Sequence, residues 1–166
     1  MAQTYTLIAT ANCAGLTAGT FSSISQSYTD LVIVCNTRVT SAWDVQAFQL
    51  NGAGSGYDQI YSEGVGNTSG TGTSQIAFRV NYVPGSSYSG VWDTSTYYLP
   101  RYSQANTYKT LLTQGAAGAN GSFFTQSTVS TYAGATTAVT SIVWGTANGG
   151  TYAANSTIKL FGILAA

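Results

Sequence analysis

Clusters of Gly, Asn and Ser interrupt this chain about every dozen residues, and no interval between them carries a helical period long enough to hold a helix. Several intervals carry a period of two instead. Near the C-terminal end Ile158 and Leu160 alternate with Thr157, Lys159 and Phe161, so one face of a strand turns to a core. Asp44 to Leu50 sets Val45, Ala47 and Gln49 against Gln46, Phe48 and Leu50. Leu31-Val32-Ile33-Val34-Cys35 is continuously apolar, which fits a strand covered on both faces or lying against a partner chain. The pattern predicts about ten short strands in an all-β, single-domain antiparallel β-sandwich, jelly-roll-like, over residues 1–166. A chain of this length buries roughly 70% of its unfolded surface, enough to fold without a disulfide or a metal.

Other strands are expected at Tyr5–Thr10, Thr20–Ile24, Tyr57–Glu63, Trp92–Tyr102, Tyr108–Leu112, Ser122–Tyr132 and Ala138–Trp144. Ser74–Val83 reads as the cleanest two-faced strand, with Ile76, Phe78, Val80 and Tyr82 opposed to Gln75, Ala77, Arg79 and Asn81. Gly64–Thr73 offers nothing to pack and reads as an exposed loop, and Gly52–Gly56 as a hairpin loop. Asn148-Gly149-Gly150 supplies the positive-φ residues of a connection between antiparallel strands, and the closing strand is expected to be paired inside a sheet.

Charged residues make up 6% of the chain, five basic and five acidic, against about 25% in an ordinary soluble domain. Nucleic acid and anionic membrane both require clustered Lys and Arg, and here Arg38, Arg79, Arg101, Lys109 and Lys159 are scattered singly. Weak like-charge repulsion favours assembly into an oligomer or lattice. Cys35 ends an apolar run and reads as a buried free thiol; a Cys13–Cys35 disulfide requires their strands to be neighbours. No basic and apolar leader opens the sequence, so a reducing place of synthesis is expected.

The chain has no histidine. A Ser-His-Asp triad and a His-bearing zinc site are therefore impossible, and two cysteines cannot make a four-ligand zinc site. The acids are Asp30, Asp44, Asp58, Glu63 and Asp93. Asp58 and Glu63 are close enough in sequence to share a site, but such a pair more often lies along a strand and its flanking loop, so no enzyme and no cofactor is expected. The aromatic segment holding Trp92, Tyr97, Tyr98 and Tyr102 supplies a candidate subunit interface or a surface for stacking on sugar rings, against the plainer reading that these rings fill and cover the core.

Several phrases, kept in order along nearly the whole chain, resemble a family of small tailed-bacteriophage virion proteins. They are Tyr5-Thr6-Leu7-Ile8, the stretch from Phe21-Ser22-Ser23-Ile24 to Tyr28-Thr29-Asp30-Leu31-Val32, Tyr98-Leu99-Pro100-Arg101-Tyr102, Ala138-Val139-Thr140-Ser141-Ile142 and Leu160-Phe161-Gly162-Ile163. Ser25 stands where the family usually has Pro, and Phe161 where it has Tyr. The resemblance implies a jelly-roll capsid decoration (cement) protein with no catalytic residues. Implied partners are its own copies, as a homotrimer, and the major capsid protein, with no nucleic acid and no membrane. Implied localisation is the virion, on the capsid surface, after synthesis in the host cytoplasm. The alternative is a tail- or head-fibre module that binds host surface glycans through aromatic faces.

Overall fold

The computed structural model describes residues 5–63, 69–75, 77–119 and 122–164. Among them are twelve strands and no helix: β1 (Thr6–Asn12), β2 (Ala18–Phe21), β3 (Asp30–Thr37), β4 (Trp43–Leu50), β5 (Tyr57–Glu63), β6 (Ser69–Gln75), β7 (Phe78–Pro84), β8 (Asp93–Leu99), β9 (Lys109–Ala119), β10 (Ser122–Tyr132), β11 (Ile142–Thr146) and β12 (Thr157–Ile163). They form an eight-stranded sheet, β1-β12-β3-β8-β9-β10-β5-β6, and a four-stranded sheet, β2-β11-β4-β7. All named pairs are antiparallel.

With β5–β6 and β9–β10 set aside, the remaining eight strands divide as β1-β12-β3-β8 and β2-β11-β4-β7, and the chain changes sheet at every step except β4 to β7, which are neighbours in the small sheet. That is the strand order of a jelly roll. The two hairpins extend one of its sheets by four strands. β12 lies between β1 and β3, so the closing strand is internal, as expected. Between the sheets sit Leu31, Ile33, Tyr97, Leu99, Ile158 and Leu160 from one side and Phe48, Leu50, Phe78, Ile142 and Trp144 from the other. Phe48 meets Tyr97 edge to face across the gap, with ring centroids 4.8 Å apart. Gly162 leaves room for the Tyr28 ring, which a Cβ there would strike at 2.4 Å.

Asp44, Gln46, Phe48 and Leu50 point inward as one set, and Val32 as well as Ile33 is buried in β3, so both patterns hold. Four expectations do not. Residues 69–75 of the expected Gly64–Thr73 loop and its flank form β6, an edge strand whose ladder to β5 needs backbone groups rather than packed side chains; residues 64–68 lie outside the described ones. Ser74–Val83 is not one strand. Gln75 ends β6 and Phe78 begins β7 in the other sheet. Within β7 the alternation also breaks. Val45 pairs with Tyr82 and Ala47 with Arg79, leaving two residues opposite Gln46, and Asn81 has φ +76°. The bulge turns Asn81 inward and leaves Tyr82 half-buried, the reverse of the expected phase.

The Gly52–Gly56 segment is a crossing between sheets rather than a hairpin loop, since β4 and β5 lie in different sheets. Tyr57 anchors it: its hydroxyl accepts from Leu50 N at 2.8 Å and donates to Ala53 O at 3.1 Å. The Asn148-Gly149-Gly150 connection likewise leads from the small sheet to the large one. Asp44 holds it in place, its carboxylate accepting from Asn148 N and Gly150 N. Cys13 and Cys35 are both buried free thiols, and burial pushes the Cys13 thiol up to about 11.

Candidate interaction face

The outward face of the large sheet carries one apolar residue per strand at matching register. Leu7 of β1 lies opposite Phe161 of β12, Phe161 opposite Val32 of β3, and Val32 opposite Tyr98 of β8. Tyr98 faces Leu112 of β9, Leu112 faces Val129 of β10, and Val129 faces Ile60 of β5. Seven side chains form a single row, and six inter-strand spacings make it about 29 Å long. Tyr5 extends the row at one end, edge to face on Phe161 with centroids 6.4 Å apart. Exposure rises toward the ends: Leu7 is 54%, Leu112 40%, Val129 50% and Ile60 65% accessible.

One step along the strands on one side of the row, Thr96, Gln114, Ser127 and Ser62 face one another in turn, with Lys159 and Val34 at the β12–β3 end. On the other side lie Asp30, Thr110, Thr131 and Asp58. Such a polar border offers hydrogen-bonding groups to a partner.

Behind the outer strands the inward face is mixed. Tyr57, Leu111 and Tyr132 belong to the core, and Thr113, Gln126, Thr128 and Ser130 of β9 and β10 are buried beside them. Thr128 lies opposite Thr113, and Ser130 opposite Gln59. The hydroxyls of Thr113, Thr128 and Ser130 and Oε1 of Gln59 have no hydrogen-bond partner among the described residues.

The four aromatic candidates are divided by the fold. Tyr97 and Tyr102 are fully buried and lie in the core, so they offer no surface to a partner. Tyr97 packs on Phe48, and the Tyr102 hydroxyl donates to the Ser25 carbonyl. Tyr98 is half-buried at the centre of the row, and its hydroxyl donates to Asp30 Oδ2 at 2.8 Å. Burial, and then the Asp30 carboxylate, push that phenol up. Trp92 is half-buried and stands away from the row, in a shallow depression of about 620 Å³ lined by Val34, Asn36, Asn155, Thr157 and Lys159.

The described acids have structural partners or lie apart. Asp30 accepts from Tyr98 OH and Arg101 N, and Asp44 fixes the 148–150 loop. Asp93 is buried and accepts from Ser95 Oγ at 2.7 Å, Thr37 Oγ1 at 3.3 Å and Asn81 Nδ2, with burial raising its carboxyl to about 7. Asp58 is exposed on the outward face of β5. Among the described residues no group of three or more Cys, Asp or Glu could hold a metal. Lys109 is buried with its ammonium donating to the carbonyls of Gln104, Thr107 and Thr136, which ties two loops together and engages the cation.

Comparison with known proteins finds no matching family, no matching curated protein and no matching solved structure. Ile60, Leu112 and Val129 were not singled out by sequence. Each is a lone apolar residue among polar neighbours, and only the cross-strand register joins them.

Proposed function

We propose that this chain is a structural protein of a tailed-phage virion, a capsid decoration protein that seats on the outside of the head and bridges neighbouring major capsid proteins, as a homotrimer. The observation that carries the assembly role is the outward apolar row from Leu7 to Ile60. Large side chains aligned over about 29 Å of a rigid sheet present more contiguous apolar surface than scattered exposed residues do. The polar, hydroxyl-rich border suits a protein surface. The phage and capsid assignment rests on the ordered phrases shared with the virion family.

Immunogold electron microscopy of intact virions with an antibody to this protein tests the reading. Label distributed over the head is the expected result. Label confined to the tail or its tip, or none on the virion, overturns it. A binding assay on decoration-free heads then tests the face: Val129→Lys and Ile60→Lys together should lower occupancy at least tenfold while the circular dichroism spectrum stays unchanged.

A further inference from the structure

We propose that the Trp92 depression is a carbohydrate-binding site, with a carboxylate-bearing sugar such as a uronic or sialic acid residue as its ligand. The depression lies on the same outward face of the large sheet as the apolar row and shares Val34 and Lys159 with its border, so it is open in the free protein and covered when that face is seated. Val34 and Asn36 of β3 and Thr157 and Lys159 of β12 pave it, and Trp92 and Asn155 stand at its edge. Val34 is one strand step from the row residue Val32 and Asn36 two, so the site begins about 7 Å from the row.

Three properties give the ligand class. Trp92 supplies an aromatic surface for the C–H face of a sugar ring, a contact worth more to a flat ring than to a flexible chain. The side chains of Asn36, Asn155 and Thr157 have no hydrogen bond within the described residues, so two amides and a hydroxyl are available to ring hydroxyls. Lys159 is exposed and no carboxylate lines the depression, so the site carries a positive charge that an acidic sugar complements.

The backbone that carries Asn155 and Trp92 is held in place before any ligand arrives. Asn155 adopts φ +66° in a turn closed by Ser156 N donating to Ala153 O at 3.2 Å. Ser156 Oγ donates to Arg38 O at 3.0 Å and accepts from Arg38 N at 3.1 Å, pinning that turn to the end of β3. Trp92 is fixed between the turn in which Val91 N donates to Tyr88 O and the buried Asp93. Preorganisation of this kind lowers the ordering cost of binding. The depression is open and shallow, which fits a sugar lying along the sheet rather than a side chain inserted into a pocket.

The test is a panel of oligosaccharides ending in galacturonate, glucuronate or sialate, each beside its neutral counterpart, titrated against the intact protein by tryptophan fluorescence and by calorimetry. The expected result is binding of at least one acidic member, weakened at least tenfold by Trp92→Ala. Lys159→Gln, a change at an exposed side chain, should remove the preference for the acidic over the neutral member and flatten the salt dependence. Free monosaccharide acids in the same panel separate recognition of one acidic ring from recognition of a polymer. No binding across the acidic panel overturns the proposal, as does binding that neither variant weakens. Val129→Lys should leave sugar binding intact, so failure of the head-docking reading and failure of this one are distinguishable.

Discussion

The jelly-roll strands and the added strands both turn polar groups inward, and treat them differently. In β4 and β8 the inward Asp44, Gln46, Asp93 and Ser95 are all hydrogen-bonded. In β9 and β10 the inward hydroxyls of Thr113, Thr128 and Ser130 have no partner among the described residues, while Leu112, Val129 and, on β5, Ile60 face solvent. The jelly roll is held by its apolar core and by satisfied buried polar groups. The added strands are held by their ladders, by burial of Tyr57, Leu111 and Tyr132, and by β7, which packs across β9 and β10, and their outward apolar residues are left for something else.

The largest effect should come from placing a charge in the jelly roll. Ile33→Asp buries an unpaired carboxylate in an internal strand at a residue 1% exposed, and should abolish soluble folded protein, read by expression and far-ultraviolet circular dichroism. Recovery of folded protein would remove β3 from the centre of the fold. Next in size is a pair of truncations. Leu160→Ala should lower the unfolding free energy in urea by about 2–5 kcal/mol, through lost transfer energy and the cavity left behind. Thr128→Val removes a buried hydroxyl without a partner and keeps the shape, so it should change stability by less than about 1 kcal/mol or raise it. A loss as large as that of Leu160→Ala would show that the Thr128 hydroxyl is engaged, and the contrast between the two parts would fail.

Much of the jelly roll was legible in the sequence because its strands face one core and keep a strict period. Asp44–Leu50 and Thr157–Ile163 keep the alternation that the sequence shows, with Gln46 on the side of Phe48 and Leu50. What could not be read was set by backbone and register. The left-handed Asn81 reverses the phase of β7 through a bulge, and nothing in the alternation of Phe78 to Tyr82 announces it. β6 has no apolar period at all and exists as a partner to the β5 backbone. In the aromatic segment Tyr97 and Tyr98 are adjacent on a strand and so face opposite ways, one to the core and one to the row. Composition marks them as equal.

Asp93 lies where the two parts meet, on β8 beside β9, with Asn81 of β7 donating to it from the facing sheet. Its folded pKa of about 7 lies above the unfolded value near 4, so the folded state holds a proton that the unfolded state has released between those pH values. This contribution to stability is fully present below about pH 4 and is lost as pH rises through about 7. Asp93→Asn should flatten that part of the profile, so the melting temperature of the variant changes less between pH 5 and pH 8 than that of the parent. An identical slope in both proteins would assign the pH dependence to other groups.

The smallest effect on stability, and the most direct test of the outward polarity, is a charge on the added strands. Val129 is half exposed between Leu112 and Ile60, so Val129→Lys creates no buried charge and should leave the urea midpoint within about 0.5 kcal/mol of the parent. It should nevertheless interrupt the row at its most accessible end and weaken association, read as a fall in sedimentation-average mass or in occupancy on heads. The same substitution at Leu160 would unfold the protein. If Val129→Lys also unfolds it, the outward face belongs to the core of the folded chain and the row is not a docking surface. If stability and association are both unchanged, the outward apolar row has no partner to meet. Only unchanged stability with reduced association matches a sheet that keeps its apolar row for another surface.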